Sequence, residues 1–193
     1  AGMEAAFVNV VEPGDRVLVC ANGVFGERMV DVAERCGANL RTLSGAWGQP
    51  FDPAVIEEEL RTFQPKVLAI VHAETSTGVL QPLEEFPKIL KKHPDTLLLV
   101  DAVTSLGGHP VKVDEWGIDI CYSGTQKCLS CPPGLAPITF SPRAMAKIEG
   151  RAKKVQSLYL DMNMLGKYWA SERKYHHTAP ISMNYALLEA LRI

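Results

Sequence analysis

The fold is decided by the stretch Ile118-Asp-Ile-Cys-Tyr-Ser-Gly-Thr-Gln-Lys-Cys-Leu-Ser-Cys-Pro-Pro-Gly134. Its apolar first part predicts a buried strand, and Pro-Pro-Gly cannot continue a strand or a helix. Lys127 therefore follows the carboxyl end of a strand, where open α/β sheets bind their ligands. A partly desolvated amine at such a place can lose its proton near neutral pH and attack a carbonyl carbon. The alternative is a solvated loop lysine. Residues elsewhere in the chain are needed to distinguish a reactive amine from a solvated one.

The composition is that of a globular protein. The chain has 193 residues, 47% of them apolar, and a formal net charge of −2. This balance gives no electrostatic reason to expect binding to nucleic acid or to an anionic membrane. The five cysteines are an odd number, which indicates a reducing, cytoplasmic compartment. A zinc site at Cys128-x-x-Cys131 is not expected, since no second pair of ligands is present.

Apolar runs alternate with helical patterns along the chain. After a first helix that ends near residue 12, we predict strands over 16–21, 39–44, 66–72, 96–101 and 136–140, besides the one that begins at 118. The predicted helices cover 27–36, 53–64, 82–92 and 142–150, and the remainder is mostly helical. The second of these helices is expected to begin with Asp52 as its capping residue and Pro53 in its first position. Strands that are apolar throughout favour a parallel sheet covered on both faces. The predicted class is α/β, a three-layer α/β/α arrangement with a mostly parallel sheet.

The ends of these predicted strands carry polar and aromatic residues. The loop at Thr75 and Ser76, the carboxylate of Asp101 and the amine of Lys127 each follow a strand, and Phe25 follows another. A pyridoxal phosphate site needs such parts: a lysine for the aldehyde, a carboxylate for the pyridine nitrogen, an aromatic face and hydroxyls. For Asp101 alone, a strand-end cap or a structural ion pair is the competing interpretation.

The ordered motifs resemble the class V aminotransferases of fold type I. The resemblance is carried by Val100-Asp-Ala-Val-Thr-Ser-Leu-Gly-Gly108, Tyr122-Ser-Gly-Thr-Gln-Lys127 and Pro132-Pro-Gly134. It extends over the whole chain through Ala21-Asn-Gly-Val-Phe-Gly26, Glu74-Thr-Ser-Thr-Gly78 and Lys174-Tyr-His-His-Thr-Ala-Pro180. Within the family, the chain is most similar to the alanine–glyoxylate and serine–glyoxylate (serine–pyruvate) aminotransferases.

The resemblance implies a role for each matching residue. Lys127 would bind pyridoxal 5'-phosphate and later move a proton at the substrate's α-carbon. Asp101 would pair with the pyridine nitrogen, and Val103 would pack under the ring. Phe25 would stack on the ring, at a position where some relatives carry tryptophan.

Four further residues are implied as polar contacts of the cofactor. Ser76 would lie near its phenolic oxygen and Gln126 near its phosphate. Tyr175 and Thr178 would reach across a homodimer interface to the phosphate of the neighbouring subunit. Without the resemblance, the segment that holds Tyr175 and Thr178 would be interpreted as a solvated connection between helices.

We expect residues 1–193 to be most of a cofactor-binding large domain, truncated at both ends. The helical pattern at Ala1 has no capping residue before it, and the last helix has no glycine or turn after it. In the family, a serine/glycine phosphate loop would precede Ala1. The small C-terminal domain and its arginine, which reads the substrate carboxylate, are expected to be absent as well.

The leading hypothesis is a transaminase that moves an amino group from alanine or serine to glyoxylate or pyruvate by a ping-pong mechanism. Another class V activity, such as cysteine desulfuration or aminoethylphosphonate transamination, is an alternative. A scaffold domain that keeps the fold without a cofactor is a second alternative. The expected partners are amino acids, 2-oxo acids and a second copy of the chain. The expected location is the cytoplasm, or the peroxisome or mitochondrion if the source is a eukaryote.

Overall fold

The computed structural model describes residues 1–192. Its strands are β1 (Arg16–Ala21), β2 (Asn39–Ser44), β3 (Val67–Val71), β4 (Ala73–Glu74), β5 (Val79–Leu80), β6 (Leu97–Asp101), β7 (Ile120–Tyr122) and β8 (Ile138–Phe140). Its helices are α1 (Gly2–Val10), α2 (Val24–Arg35), α3 (Pro53–Phe63), α4 (Phe86–Leu90), α5 (Pro142–Glu149), α6 (Met162–Trp169) and α7 (Ile181–Ala190). Among the helices of this described part, none is long and apolar enough to cross a bilayer.

Six strands form one sheet in the order β2-β1-β3-β6-β7-β8. All neighbours in this sheet run parallel except β7 and β8, which are antiparallel. Strands β4 and β5 form a separate antiparallel pair. The prediction of a mostly parallel sheet is therefore confirmed.

Helices cover both faces of the sheet. Residues of α1, α2 and α5 form one buried cluster with alternate strand residues, for example Phe7 and Met29 against Val19 and Leu99. Residues of α3 and α4 form a second cluster on the opposite face with the intervening strand residues. Because both faces of β1, β3 and β6 are buried, these strands are apolar throughout rather than alternating. The observed layers are those of the predicted three-layer α/β/α class.

Two helix starts follow the rule of a capping residue and then proline. Asp52 Oδ1 accepts a hydrogen bond from the Ala54 N–H at 2.8 Å, as expected for the start of α3. Ser141 Oγ accepts one from the Ala144 N–H at 3.1 Å at the start of α5. In each case proline occupies the first turn, where its missing N–H is not needed.

Two predicted helices differ from the observed ones. The helix predicted over 82–92 is reduced to α4, with Pro87 in its first turn. A helix that began at Pro82 would place Pro87 in its interior, where proline removes a hydrogen bond and clashes with the preceding turn. Helix α2 begins at Val24 rather than at Glu27, so that Phe25 lies in its first turn.

Helix α2 approaches β1 closely at Gly26. A Cβ atom at Gly26 would lie 2.7 Å from the Cα and 3.1 Å from the Cβ of Ala21. Real Cβ atoms do not approach backbone this closely, so a larger residue would push α2 away from the sheet. Gly166 in α6 is a helical glycine with no heavy atom within 4 Å of its ideal Cβ position.

We expect Gly26→Ala to destabilise the protein by about 1–3 kcal/mol, because the methyl group overpacks the contact between α2 and β1. The matched control Gly166→Ala should be neutral or stabilising by up to about 1 kcal/mol, since alanine favours helix and has room there. Urea unfolding of both variants tests this. A Gly26→Ala protein as stable as the parent would contradict the close contact.

Candidate active site

The carboxyl ends of β6 and β7 place two polar side chains next to each other. Asp101 is the last residue of β6, and Tyr122 is the last residue of β7. The parallel register pairs Asp101 with Tyr122 directly. Neighbours in register point to the same face of a sheet. The strand pairing itself therefore sets the relation between the carboxylate and the phenol.

Asp101 is a buried carboxylate that is only 3% exposed, and it accepts hydrogen bonds from two donors. Its Oδ1 accepts from the Val103 N–H at 2.8 Å, and its Oδ2 accepts from the Tyr122 hydroxyl at 2.7 Å. Burial raises the pKa of Asp101 above its ordinary value, although both hydrogen bonds oppose this shift. Burial and the nearby Asp101 carboxylate raise the pKa of Tyr122 well above its ordinary value. Tyr122 therefore acts as a neutral donor to Asp101.

Lys127 lies in a turn that is closed by hydrogen bonds on both sides. The Thr125 hydroxyl donates to the Pro132 carbonyl at 2.9 Å, and the Ser130 N–H donates to the Lys127 carbonyl at 2.9 Å. The Lys127 side chain itself is exposed. This differs from the expected partly desolvated amine, because the cleft beside Lys127 is open rather than enclosed.

One cleft of about 530 Å³ brings together five of the eight expected site residues. Its volume is typical of a small-molecule site. The expected residues that line it are Phe25, Asp101, Val103, Gln126 and Lys127. The cleft thus combines a buried carboxylate, an amine and an aromatic ring, which is the combination that the sequence predicted.

The start of α1 lines the same cleft through Ala1, Gly2 and Met3. Within the described part of the chain, no side chain caps this helix start. The first N–H groups of a helix carry partial positive charge and favour an anion. This end of the cleft is therefore suited to a negatively charged group.

Ser76 is not among the residues that line the cleft. Its hydroxyl donates to Glu74 Oε1 at 2.7 Å and accepts from the Val24 N–H at 3.0 Å. Its implied contact with the cofactor stays a prediction. The exposed Thr75 hydroxyl lies on the same loop and donates to Thr104 Oγ1 at 3.3 Å.

Tyr175 and Thr178 lie outside the cleft, in the connection between α6 and α7. Tyr175 is 74% exposed, and its hydroxyl lies 3.3 Å from that of Thr178. Their implied contact with a neighbouring subunit stays a prediction, because it concerns a second copy of the chain.

Two residues of this region were missed from the sequence. Tyr122 had a usable signal, since it lies in the apolar run of the predicted strand that begins at 118, shortly before Lys127. Glu74 had none. It is buried, and its carboxylate accepts hydrogen bonds from the N–H groups of Phe25 and Gly26, which lie 49 and 48 residues away in sequence.

Comparison with known proteins gives consistent matches over the whole chain. The family model for class-V aminotransferases matches residues 2–193. The (S)-ureidoglycine–glyoxylate transaminase of Bacillus subtilis is 42% identical, and the match covers 100% of this chain and 50% of that protein. The alanine–glyoxylate aminotransferase of Callithrix jacchus is 43% identical, with 99% and 47% covered.

A solved structure agrees with these matches. The crystal structure of an alanine–glyoxylate aminotransferase from Nostoc sp. is 55% identical with a TM-score of 0.97, and the match covers 99% of this chain and 50% of that one. The chain thus spans about half the length of the curated relatives it matches. On the strength of its fold, its cleft and these matches, the chain belongs to the class-V aminotransferase family.

Proposed function

We propose that the protein is a pyridoxal-phosphate-dependent transaminase that moves an amino group from a small amino acid, such as alanine or serine, to glyoxylate or pyruvate. The observation that carries this proposal is the buried Asp101 carboxylate in the same cleft as the Lys127 amine. Glyoxylate as the acceptor is supported by the names of relatives from a bacterium and a mammal. These relatives favour transamination over the alternative of cysteine desulfuration.

The residues present fit pyridoxal 5'-phosphate. The pKa of Asp101 stays raised because burial outweighs its two hydrogen bonds, and a cationic ring nitrogen would offset that burial. Phe25 and Val103 offer apolar surface for the ring, and Gln126 offers a polar contact. The first turn of α1 lines the cleft, and the N–H groups of a helix start suit a phosphate. Ser76 is proposed as a further polar contact.

When bound, pyridoxal phosphate supplies an electron-withdrawing ring that stabilises negative charge at the α-carbon of an amino acid. Asp101, oriented by the hydrogen bond from Tyr122, would hold the proton on the pyridine nitrogen. Lys127 would hold the cofactor through its amine, and the same amine would serve as the base that moves a proton at the substrate's α-carbon. Release of the first keto acid before the second one binds gives ping-pong kinetics.

We also propose a homodimer in which Tyr175 and Thr178 contact the phosphate held by the neighbouring subunit. Their exposure on one surface of this chain supports the proposal. Residues 1–193 are proposed to be most of the cofactor-binding large domain. A reducing location such as the cytoplasm is supported by the five cysteines, all of which are free thiols.

We expect the full-length protein to carry a visible absorption band from pyridoxal phosphate bound through Lys127. Borohydride should bleach this band and fix the cofactor to the peptide that contains Lys127, which mass spectrometry detects. Lys127→Arg keeps the positive charge but cannot form the bond. This variant should lose the band and about 10²- to 10⁴-fold or more of the transamination rate. A colourless parent protein would support the scaffold alternative instead.

Asp101→Asn removes the charge and keeps the size of the side chain. We expect cofactor to remain bound through Lys127 and transamination to fall by about 10²- to 10³-fold, because the preorganised negative charge is lost. Asp119→Asn is the matched control. Asp119 is also 3% exposed, but it lies at the opposite end of β7, where it accepts from the Leu98 N–H and the Ser141 hydroxyl. The Asp119→Asn variant should have a lower free energy of unfolding than the parent and an unchanged kcat. Near-normal rates for Asp101→Asn would remove this residue from the mechanism.

Tyr122→Phe should change the pH dependence of the reaction. The Tyr122 hydroxyl stabilises the charged form of Asp101, so its loss raises the pKa of Asp101 further. The ionised carboxylate is the active form, and the acidic limb of the kcat/KM profile should therefore move to higher pH. The aromatic ring, which fills the core, is retained. An acidic limb at the same pH as in the parent would show that the hydrogen bond does not act on Asp101 in the working enzyme.

A further inference from the structure

Glu74 is a buried carboxylate outside the cleft with an unusually complete set of donors. It is 1% exposed. Its Oε2 accepts from the N–H groups of Phe25 and Gly26, both at 3.1 Å. Its Oε1 accepts from the N–H of Ser76 at 3.1 Å and from the hydroxyl of Ser76 at 2.7 Å. Removing a charged carboxylate from water costs free energy, and hydrogen-bond donors around the buried group offset that cost.

These hydrogen bonds join two segments that are far apart in sequence. Besides the hydrogen bonds from Phe25 and Gly26 to Glu74, Ser76 Oγ accepts one from the Val24 N–H at 3.0 Å. Glu74 and Ser76 together therefore accept hydrogen bonds from three consecutive N–H groups. Three consecutive donors at the start of α2 are thereby satisfied. The residue that precedes this helix, Gly23, has no side chain with which to cap it. Glu74 and Ser76 supply the cap from outside the helix.

The packing at this contact leaves no room for a side chain at Gly23. A Cβ atom at Gly23 would lie 2.5 Å from Glu74 Cγ and 2.6 Å from Ser76 Oγ. The glycine therefore allows the start of α2 to approach the carboxylate. The second residue of α2, Phe25, has its backbone fixed by Glu74 while its side chain lines the cleft beside Arg28. The Arg28 guanidinium carbon lies 5.3 Å from the centre of the Phe25 ring.

We propose that Glu74, with Ser76, is a positioning residue that holds the Phe25 ring in place over the cofactor ring. This inference rests on the proposed function for the identity of the cofactor. It assigns to Ser76 a supporting role at the start of α2. Glu74 itself does not touch the cofactor and acts through the backbone of Phe25.

The test is Glu74→Gln, an isosteric change that replaces one acceptor oxygen by an NH₂ group. Whichever way the amide turns, a donor then faces the N–H groups of α2 or of Ser76. In the full-length protein without cofactor, the amides that face the new NH₂ group, either those of Phe25 and Gly26 or that of Ser76, should exchange hydrogen faster. In the full-length protein, the affinity for pyridoxal phosphate should fall about tenfold, as for loss of hydrogen bonds to a charged group. The circular dichroism of the bound cofactor should change as well.

A double-mutant cycle separates positioning from general stability. If Glu74 acts through the ring, Glu74→Gln should weaken cofactor binding in the parent but not further in a Phe25→Ala background. Gln81→Glu is the matched control, since Gln81 is also 1% exposed and its amide bridges the N–H and C=O of Phe51, away from the cleft. This control should lower stability and leave cofactor affinity and circular dichroism unchanged.

The outcomes are distinguishable. Additive losses in the cycle, or an unchanged cofactor affinity in Glu74→Gln, would overturn the proposal. Unchanged hydrogen exchange at all three amides, those of Phe25, Gly26 and Ser76, would overturn the hydrogen-bond arrangement beneath it. If the parent protein bound no pyridoxal phosphate, the proposed function would fail and the positioning role would fall with it, whereas faster hydrogen exchange would still establish Glu74 as the cap of α2.

Discussion

The site depends on the burial of one carboxylate. Moving an ionised carboxyl group out of water is costly, and a protein offsets that cost with hydrogen bonds or an opposite charge. Asp101 receives two hydrogen bonds, from the Val103 N–H and the Tyr122 hydroxyl, yet its pKa remains above its ordinary value because burial dominates. The strand pairing thus holds a carboxyl group whose charged form is incompletely stabilised within the described chain. A cation in the adjacent cleft would complete that stabilisation.

The contrast with two other buried carboxylates, Glu74 and Asp119, supports this interpretation. Glu74 accepts four hydrogen bonds, and Asp119 accepts from the Leu98 N–H and the Ser141 hydroxyl and lies 3.6 Å from the Arg143 guanidinium. Both are satisfied by the protein itself and connect distant segments. Asp101 lines a cleft, and it differs from Glu74 in accepting only two hydrogen bonds and from Asp119 in having no cationic partner among residues 1–192. The number and kind of partners therefore separate a carboxylate that holds the fold from one that is available to a ligand.

The sequence predicted what local patterns determine. Continuous apolar runs located the strands, and the capping residue of α3 was identified from Asp52 and the proline after it. The start of α2 was placed too late because its cap comes from Glu74 and Ser76, about 50 residues along the chain. No local signal can reveal a cap supplied by a distant segment. The exposure of Lys127 was likewise not predictable, since it depends on how much of the chain surrounds the cleft.

Lys127 combines a fixed backbone with a free side chain, and both properties follow from its turn. The Thr125 hydroxyl and the Ser130 N–H close the turn, so that the position of the Lys127 Cα is determined by the end of β7. The side chain, by contrast, is exposed at the cleft. The role proposed for Lys127, which is to hold a cofactor first and to move a proton at a different carbon later, would require one amine to reach two points. A flexible four-carbon stem on a rigid turn does this, whereas an amine fixed by ion pairs would serve only one of the two steps.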